Sequence, residues 1–161
     1  MSFVVIVDNI RSAHNVGSIF RTADGAGVDK IYLVGVSPTP PTQETVYPTR
    51  AHKDLAKTAL GAEKNIPWEY YEEMGSIFAR LKHDGYAMIA LEQSEKSVEY
   101  RAYQPSEKVA LMVGNEVDGV SADVLRQCDA ILEIPMRGEK NSLNVSVAFG
   151  IASFEIRSKM E

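Results

Sequence analysis

Five short apolar runs, each continuous rather than alternating, constrain the fold of this chain more than any other feature. They span Phe3–Val7, Ile31–Val36, Tyr86–Leu91, Val109–Val113 and Ile131–Ile134. Continuous apolar strands are typical of a parallel sheet that is covered on both faces. The segments between them place apolar residues at helical spacing. This alternation predicts an α/β fold with a mostly parallel sheet flanked by helices.

Apolar residues at helical spacing mark five helices between and after these runs. In chain order the marking residues are Val16, Ile19, Phe20 and Ala23; Leu55, Ala59 and Leu60; Ile77, Phe78 and Leu81; Leu125; and Leu143, Val147, Ile151 and Phe154. Asn15, Ser121 and either Asn141 or Ser142 are suited to cap the first, fourth and fifth helices. Gly17 would allow another backbone to approach the first helix closely.

The composition is that of an ordinary soluble globular protein, with 45% hydrophobic and 24% charged residues. No apolar run is long enough to span a bilayer or to form the core of a signal peptide. The single Cys128 excludes an intrachain disulfide, which fits a reducing compartment, so we expect a cytoplasmic location. One cysteine and three scattered histidines form no recognisable ligand set, so no metal is expected.

The formal net charge of −5 argues against binding to nucleic acids without regard to their sequence. Charge is nevertheless unevenly distributed along the chain. Between Arg11 and Lys53, five basic residues stand against three acidic ones, and His14 and His52 lie in the same stretch. The remainder of the chain is therefore acidic. This stretch predicts a local basic surface on an otherwise acidic protein.

Polar residues follow the first apolar run. In an open parallel sheet, ligands bind beyond the carboxyl ends of the strands, so these positions are candidates for a site. Asn15 and Arg21 lie on the first predicted helix, with Arg11 and His14 close to its start. A helix start surrounded by basic side chains is suited to binding phosphate. Considered alone, the same residues also fit an ordinary capped helix with a solvated arginine.

Two further polar segments follow the fourth and fifth runs. Gly114-Asn115-Glu116, with Gly119 after it, predicts a tight loop whose exposed backbone groups could hold a nucleoside or simply connect a strand to a helix. The segment from Ile134 to Ser146 contains more polar residues than one helix cap needs. The sequence has no Walker, GxGxxG, GxSxG or HExxH motif at a suitable place, so those site classes are not indicated.

Taken together, the three segments resemble the three motifs of the SpoU (TrmH-like) branch of the SPOUT RNA methyltransferases. Asn15 with Arg21 resembles the first motif, Gly114-Asn115-Glu116 with Gly119 the second, and Ile134-Pro135-Met136 through Ser142–Ser146 the third. The resemblance covers nearly the whole chain. It implies a deep trefoil knot in the C-terminal half, S-adenosylmethionine as methyl donor, a ribose 2′-hydroxyl of RNA as acceptor, and a homodimer in which the N-terminal and C-terminal helices meet.

The resemblance also implies a set of site residues. The catalytic residues would be Arg21, Asn15, Ser142, Asn144 and Glu116. The cofactor would be held by Leu91, Gly114, Asn115, Glu116, Ile134, Met136, Ser142, Leu143 and Asn144. We expect one domain over residues 1–161 with no additional RNA-binding domain, so the same domain would grip the RNA. The RNA-binding candidates are Arg11, His14, Arg50, His52, Lys53, Arg137 and Lys140.

Roles for these residues follow from the chemistry of methyl transfer. A guanidinium stays charged at physiological pH and is an awkward general base, so we expect Arg21 to bind a phosphate and to stabilise the developing alkoxide. Asn15 would orient Arg21 or the ribose, while Ser142 and Asn144 would place the substrate and the cofactor. Glu116 would brace its loop or help to orient Arg21.

Three other functions compete with this hypothesis. Related knotted enzymes methylate bases rather than riboses, although the pairing of Asn15 with Arg21 favours ribose. A non-catalytic RNA-binding protein could retain the fold, but it would not need a cofactor pocket. A small-molecule enzyme with a Rossmann-like fold would need the missing fingerprint. Among RNAs, transfer RNA is expected ahead of ribosomal RNA by analogy with short relatives, and neither DNA nor a membrane is an expected partner.

Overall fold

The computed structural model describes residues 1–161 and contains one seven-stranded sheet in which every pair of neighbouring strands is parallel. The strands are β1 (Ser2–Asp8), β2 (Lys30–Val34), β3 (Trp68–Tyr71), β4 (Ala87–Leu91), β5 (Val98–Glu99), β6 (Lys108–Val113) and β7 (Ala130–Glu133). The helices are α1 (Ala13–Gly25), α2 (Arg50–Ala59), α3 (Ala62–Asn65), α4 (Met74–His83), α5 (Ala122–Gln127) and α6 (Val145–Met160). The predicted parallel sheet flanked by helices is confirmed.

Each of the five apolar runs forms a strand, with bounds that differ from the prediction by a few residues. The second run was expected to end at Val36, but β2 ends at Val34 because Gly35 turns the chain with a φ of +67°. Leu60, expected on the second helix, lies just beyond the end of α2 with a φ of +52° and is exposed. Strands β3 and β5 were not predicted; both lie at the edges of the sheet.

The strand order is β3-β2-β1-β6-β4-β7-β5. From β1 the chain builds outward through β2 to β3, and the later strands occupy the other half of the sheet. The carboxyl ends of β1 and β6 therefore lie side by side where the order reverses. Open parallel sheets bind their ligands at such a point.

Helices cover both faces of the sheet. The larger apolar cluster joins one face to α1, α2, α3 and α6, with Phe3, Phe20 and Phe149 among its fully buried side chains. The smaller cluster joins the other face to α4 and α5. The continuous apolar strands are explained by this arrangement, because both sides of the central strands are buried. No helix of the structure has both the length and the apolar character needed to cross a membrane.

Helix α1 begins earlier than predicted. Ser12, and not Asn15, is its N-cap: the Ser12 side chain accepts a hydrogen bond from the Asn15 N–H at 3.2 Å. Asn15 therefore lies in the first turn, and its side chain is free for other contacts. The expected close approach at Gly17 is present, since a Cβ there would overlap the Leu55 carbonyl and the Thr58 side chain of α2.

Helix α6 also begins at a different residue from the one predicted. Asn144, rather than Asn141 or Ser142, is its N-cap, and its Oδ1 accepts the Ser146 N–H at 2.9 Å. Leu143 lies before the helix. The face that carries the marking residues is exposed at Val147, Ile151 and Phe154, while the opposite face supplies the buried residues Phe149, Ala152, Ser153, Ile156 and Met160. The apolar spacing was real, but it marks the outer face of α6.

Candidate active site

Side chains from the three polar segments meet at the carboxyl edge of the sheet. The Asn15 amide group donates to Glu116 Oε1 at 3.3 Å, and the Asn144 amide group donates to Asn15 Oδ1 at 3.1 Å. Asn15 comes from α1, Glu116 from the loop after β6, and Asn144 from the start of α6. Asn15 lies 101 positions from Glu116 and 129 from Asn144, so the fold and not local sequence creates this network. We call it the Asn15–Glu116–Asn144 network.

Glu116 fixes the loop between β1 and α1. Its two carboxylate oxygens accept hydrogen bonds from the backbone N–H groups of Arg11, at 3.2 Å, and Ser12, at 3.0 Å. Partial burial favours the neutral carboxyl group, but the backbone N–H donors and the Asn15 amide outweigh it, so the pKa of Glu116 lies below its usual value. At neutral pH Glu116 is therefore an anion that acts as a brace. It is not suited to take up a proton.

The network borders a cavity of about 730 Å³ between the loops that follow β4, β6 and β7. All nine residues predicted to hold the cofactor line it: Leu91, Gly114, Asn115, Glu116, Ile134, Met136, Ser142, Leu143 and Asn144. The structure thus brings the second and third polar segments to one cavity. The role of these residues in binding remains a prediction.

Two glycines shape the wall of this cavity. A Cβ at Gly114 would overlap the backbone of Gly119 and Val120, and a Cβ at Gly119 would overlap the Glu92 carboxylate. Gly119 also has a φ of +65°, which favours glycine. The Glu92 carboxylate fills the space beside it and accepts the backbone N–H of Val120 at 3.1 Å. Backbone groups are consequently close to the cavity, as recognition of a purine edge requires.

The charged residues of the cavity wall are all acidic. They are Glu92, Glu116, Asp118 and Glu133, and no lysine or arginine lines the cavity. Apolar side chains of Leu91, Ile134 and Leu143 contribute surfaces suited to the face of a nucleobase. The lining thus fits S-adenosylmethionine, which combines a purine, a ribose and a sulfonium cation. A highly anionic nucleotide would meet repulsion from the same carboxylates.

Arg21 lies outside the network. It is on the exposed side of α1, and its side chain makes no hydrogen bond or ion pair within the chain. Arg21 is six positions after Asn15, which in an α-helix corresponds to about 9 Å along the axis and about 240° around it. The hydrogen bonds of Asn15 and Glu116 go to other partners, so neither residue orients Arg21 within one chain.

The predicted RNA-binding residues fall into two groups. Arg11, His14, Arg50, His52 and Lys53 lie around the starts of α1 and α2, and all but the half-buried His52 are exposed. His52 has a structural task, because its Nδ1 accepts the Thr49 N–H at 3.1 Å and completes the cap of α2.

The negative charge of Asp54 offsets part of the positive charge around this first group. Its carboxylate lies 3.4 Å from Arg50 and 3.8 Å from both His14 and Lys57. The second group, Arg137 and Lys140, is exposed on the loop between β7 and α6. Asp54 and Lys57 were not singled out from the sequence.

Several residues of the cavity were missed by the sequence prediction. Glu92 and Gln93 follow Leu91 directly, and Gln93 Nε2 donates to the Asn141 carbonyl at 2.6 Å, linking the loops after β4 and β7. Their position after a buried strand was a usable signal, because ligands gather at strand ends. Leu125 and Ala148 also line the cavity. They carried no such signal, since small and apolar residues on helices are indistinguishable from core residues.

A parallel α/β sheet with three polar segments gathered around one cavity at its carboxyl edge defines the class of protein. Residues 2–154 match the SpoU rRNA Methylase family, and the chain belongs to this family. The resemblance noted in the sequence is confirmed.

The chain is 34% identical over 159 residues to a protein of Staphylococcus saprophyticus assigned by name to the TrmH family of tRNA/rRNA methyltransferases. That alignment covers 99% of this chain and 59% of the relative, so this chain spans little more than half of the relative's length.

Solved structures give the same picture. An AdoMet-bound rRNA methyltransferase of Sinorhizobium meliloti superposes with a TM-score of 0.83 at 31% identity, covering 98% of this chain and 56% of that chain. The TrmH/SpoU tRNA modifying enzyme of A. aeolicus superposes with a TM-score of 0.81 at 28% identity, covering 98% and 75%. The fold is therefore shared with proteins described by their names as acting on either class of RNA.

Proposed function

We propose that this protein is an RNA methyltransferase that transfers the methyl group of S-adenosylmethionine to a ribose 2′-hydroxyl. The observation that carries the proposal is the Asn15–Glu116–Asn144 network. It joins all three motif segments of the family beside one cavity whose size and lining fit the methyl donor. A network that merely stabilised the fold would not need to border a cavity.

The cavity supports the choice of methyl donor. When bound, S-adenosylmethionine supplies an electrophilic methyl group on a positively charged sulfur. The carboxylates of Glu92, Glu116 and Glu133 would favour that positive charge. Leu91, Ile134 and Leu143 would contact the adenine face, and backbone groups around Gly114 and Met136 would contact its polar edge. The AdoMet-bound relative of Sinorhizobium meliloti is consistent with this assignment.

Arg21 is the proposed catalytic residue. Its exposed guanidinium is free to contact the phosphate next to the target ribose and to stabilise the negative charge that develops on the 2′-oxygen. As the 2′-oxygen takes up the methyl group, the hydroxyl proton would leave to a phosphate oxygen or water. Asn15, Ser142 and Asn144 position the ribose beside the cavity, and Glu116 keeps their segments together.

We infer that the protein acts as a homodimer. Val147, Ile151 and Phe154 form an apolar stripe on the outer face of α6, and exposed apolar stripes of this kind are typical of helix interfaces. Phe154 also lies near Gly25 at the end of α1, which continues the surface onto the first helix. Dimers of this family bring the same two helices together. A second copy would also bring its own Arg21 toward the shared surface.

The trefoil knot is part of the same proposal. Strand β7 lies between β4 and β5, and the loop from Ile134 to Asn144 returns across the loop after β4, to which the Gln93–Asn141 hydrogen bond holds it. This arrangement suits a chain end that passes through an earlier loop. The knot would place the β7 loop over the cofactor cavity.

Transfer RNA is the proposed substrate ahead of ribosomal RNA; the names of the relatives include both. The exposed side chains of Arg11, His14, Arg50, Lys53, Arg137 and Lys140 would contact the RNA. Both substrates occur in the cytoplasm, which is the proposed location. His52 is a weaker candidate because its ring nitrogen already caps α2.

The proposed reaction is tested by the alkali stability of methylated RNA. The protein is incubated with methyl-labelled S-adenosylmethionine and, separately, transfer and ribosomal RNA from a methylation-deficient host. A 2′-O-methyl group blocks alkaline cleavage at its own phosphodiester, so the label should appear in alkali-stable dinucleotides from transfer RNA. Label in mononucleotides would indicate base methylation. No label with either RNA, despite binding of S-adenosylmethionine, would count against an enzyme acting alone.

A further inference from the structure

A second, smaller pocket lies beside the cofactor cavity and has no assigned role. Its volume is about 340 Å³, enough for a nucleobase. It is lined by Asp8, Asn9, Arg11, Val36, Asn115, Asp118, Gly119 and Ser121. Seven of these eight residues are not hydrophobic. The pocket lies where β1 and β6 end side by side, at the reversal of strand order that favours ligand binding.

Asp8 is the unusual residue of this pocket. It is only 7% exposed, and its Oδ1 is fully buried without a hydrogen-bond partner. Buried carboxylate oxygens are normally paired, so an orphan at the wall of a pocket indicates a missing donor. Burial also raises the pKa of Asp8, which is the expected response of a carboxyl group that lacks a partner.

The other polar groups narrow the choice of ligand. Asp118 brings a second carboxylate to the pocket, and Arg11 brings a guanidinium. Glu116 binds the backbone N–H of Arg11 and does not bind the guanidinium. Two carboxyl groups disfavour a phosphate. They favour a group that donates N–H bonds, while the guanidinium favours a neighbouring acceptor. Such a donor beside an acceptor is found on nucleobases that carry an exocyclic amino group.

We propose that this pocket, which we call the Asp8 pocket, binds an amino-bearing nucleobase of the RNA substrate next to the methylated ribose. The amino group of cytosine, adenine or guanine would donate to Asp8, and Arg11 would contact a ring nitrogen or carbonyl of the same base. Uracil lacks the amino group and would leave Asp8 unpaired. The inference rests on the proposed function, because it assumes an RNA substrate.

The pocket and the cofactor cavity share the loop from Asn115 to Gly119. The Asn115 side chain makes hydrogen bonds both outside and inside that loop. Its amide donates to the Asn9 carbonyl just after β1 at 2.7 Å, and its Oδ1 accepts the N–H of Val117 at 2.9 Å and of Asp118 at 3.0 Å. The loop is therefore rigidly held between the two spaces. A base in the Asp8 pocket would consequently be held at a fixed distance from the methyl donor.

The test compares short RNAs that differ at one base and does not use methyl transfer. Fluorescein-labelled heptauridylate is compared with heptamers that carry one central cytidine, adenosine, guanosine or inosine, and Kd is measured by anisotropy at low salt. We expect the amino-bearing heptamers to bind about tenfold more tightly than heptauridylate, as charge-assisted base contacts allow. Inosine, which lacks the amino group of guanosine, should lose this advantage.

Asp8→Asn should reduce the difference, because the amide keeps one acceptor oxygen but loses the negative charge and gains an NH2 group that faces the amino group of the base. Asp84→Asn, on an exposed residue at the end of α4, should retain it. If Asp8→Asn does not fold, Asp118→Asn gives the same comparison from the other carboxylate. Equal Kd values for all heptamers, absence of binding, or full discrimination by the folded Asp8→Asn protein would overturn the proposal. Base discrimination without ribose methylation would overturn the proposed function and leave the Asp8 pocket intact.

Discussion

Glu116 accepts hydrogen bonds from three donors that belong to the β1–α1 loop and the first turn of α1. A carboxylate with several N–H donors is more stable as an anion than the same group in water. The residue therefore contributes to stability and to site geometry through one set of contacts. Replacement by glutamine retains the size but turns one of the two acceptor groups into a donor that faces other donors.

Glu116→Gln is expected to lower the free energy of unfolding in a pH-dependent way. The folded-state pKa of Glu116 is lowered, so its stabilising contribution is complete above the unfolded value, about 4.3, and is lost as the pH falls through the lower folded value. The difference in stability between wild type and variant should thus be largest at neutral pH and shrink below about pH 4. Urea denaturation at several pH values measures it. A difference that grows as the pH falls would contradict the role of Glu116 as a braced anion.

At the scale of elements, the apolar runs predicted the central strands because those strands are buried on both faces. They could not predict β3 or β5. Strand β3 is an edge strand of half-buried and exposed residues, and β5 has only two residues, so neither produces a continuous apolar run. The helix caps were displaced for a related reason. Ser12 and Asn144 are as good at capping as the residues chosen, and only tertiary contacts decide between them.

The loop after β6 depends on glycine at position 119. In Gly119→Ala, a methyl group would meet the Glu92 carboxylate in a backbone conformation of positive φ. We expect the variant to lose about 1–3 kcal/mol of unfolding free energy and to bind S-adenosylmethionine more weakly. Gly75→Ala is the matched control, because a Cβ there meets nothing within 4 Å and the residue lies in α4. Urea denaturation that ranks both variants alike would show that the loop tolerates a side chain.

The outer stripe of α6 is expected to form the dimer interface. Ile151→Asp places a charge in the middle of the stripe and should convert the dimer to a monomer, while the fold is retained because Ile151 is not part of the buried core. Ser158→Asp, on an exposed residue near the end of the same helix, should leave the dimer intact. Sedimentation equilibrium separates the two states. A wild-type monomer, or a dimeric Ile151→Asp protein, would show that the stripe has another role.

At the scale of the whole molecule, the candidate site is assembled from segments that are distant in the chain and adjacent at one edge of the sheet. The rule that ligands bind beyond strand ends was sufficient to select all three segments from the sequence. It could not show that Asn15 bonds to both Glu116 and Asn144, because that contact depends on how α1 and α6 pack together. It also missed the orphaned Asp8 carboxylate, since burial of a strand-end residue is a property of the fold.

Arg21 is the residue on which the proposed chemistry depends, and its replacement is the most direct test. Wild type, Arg21→Ala and Arg126→Ala are compared for the affinity of S-adenosylmethionine and for the rate of label transfer to RNA ribose in single-turnover reactions. Arg126 is a matched exposed arginine that pairs only with Asp123 of its own helix. We expect all three proteins to bind the methyl donor equally, because Arg21 does not line the cavity. Ribose methylation should fall by about a hundredfold or more in Arg21→Ala alone, whereas an undiminished rate in that variant would contradict the account.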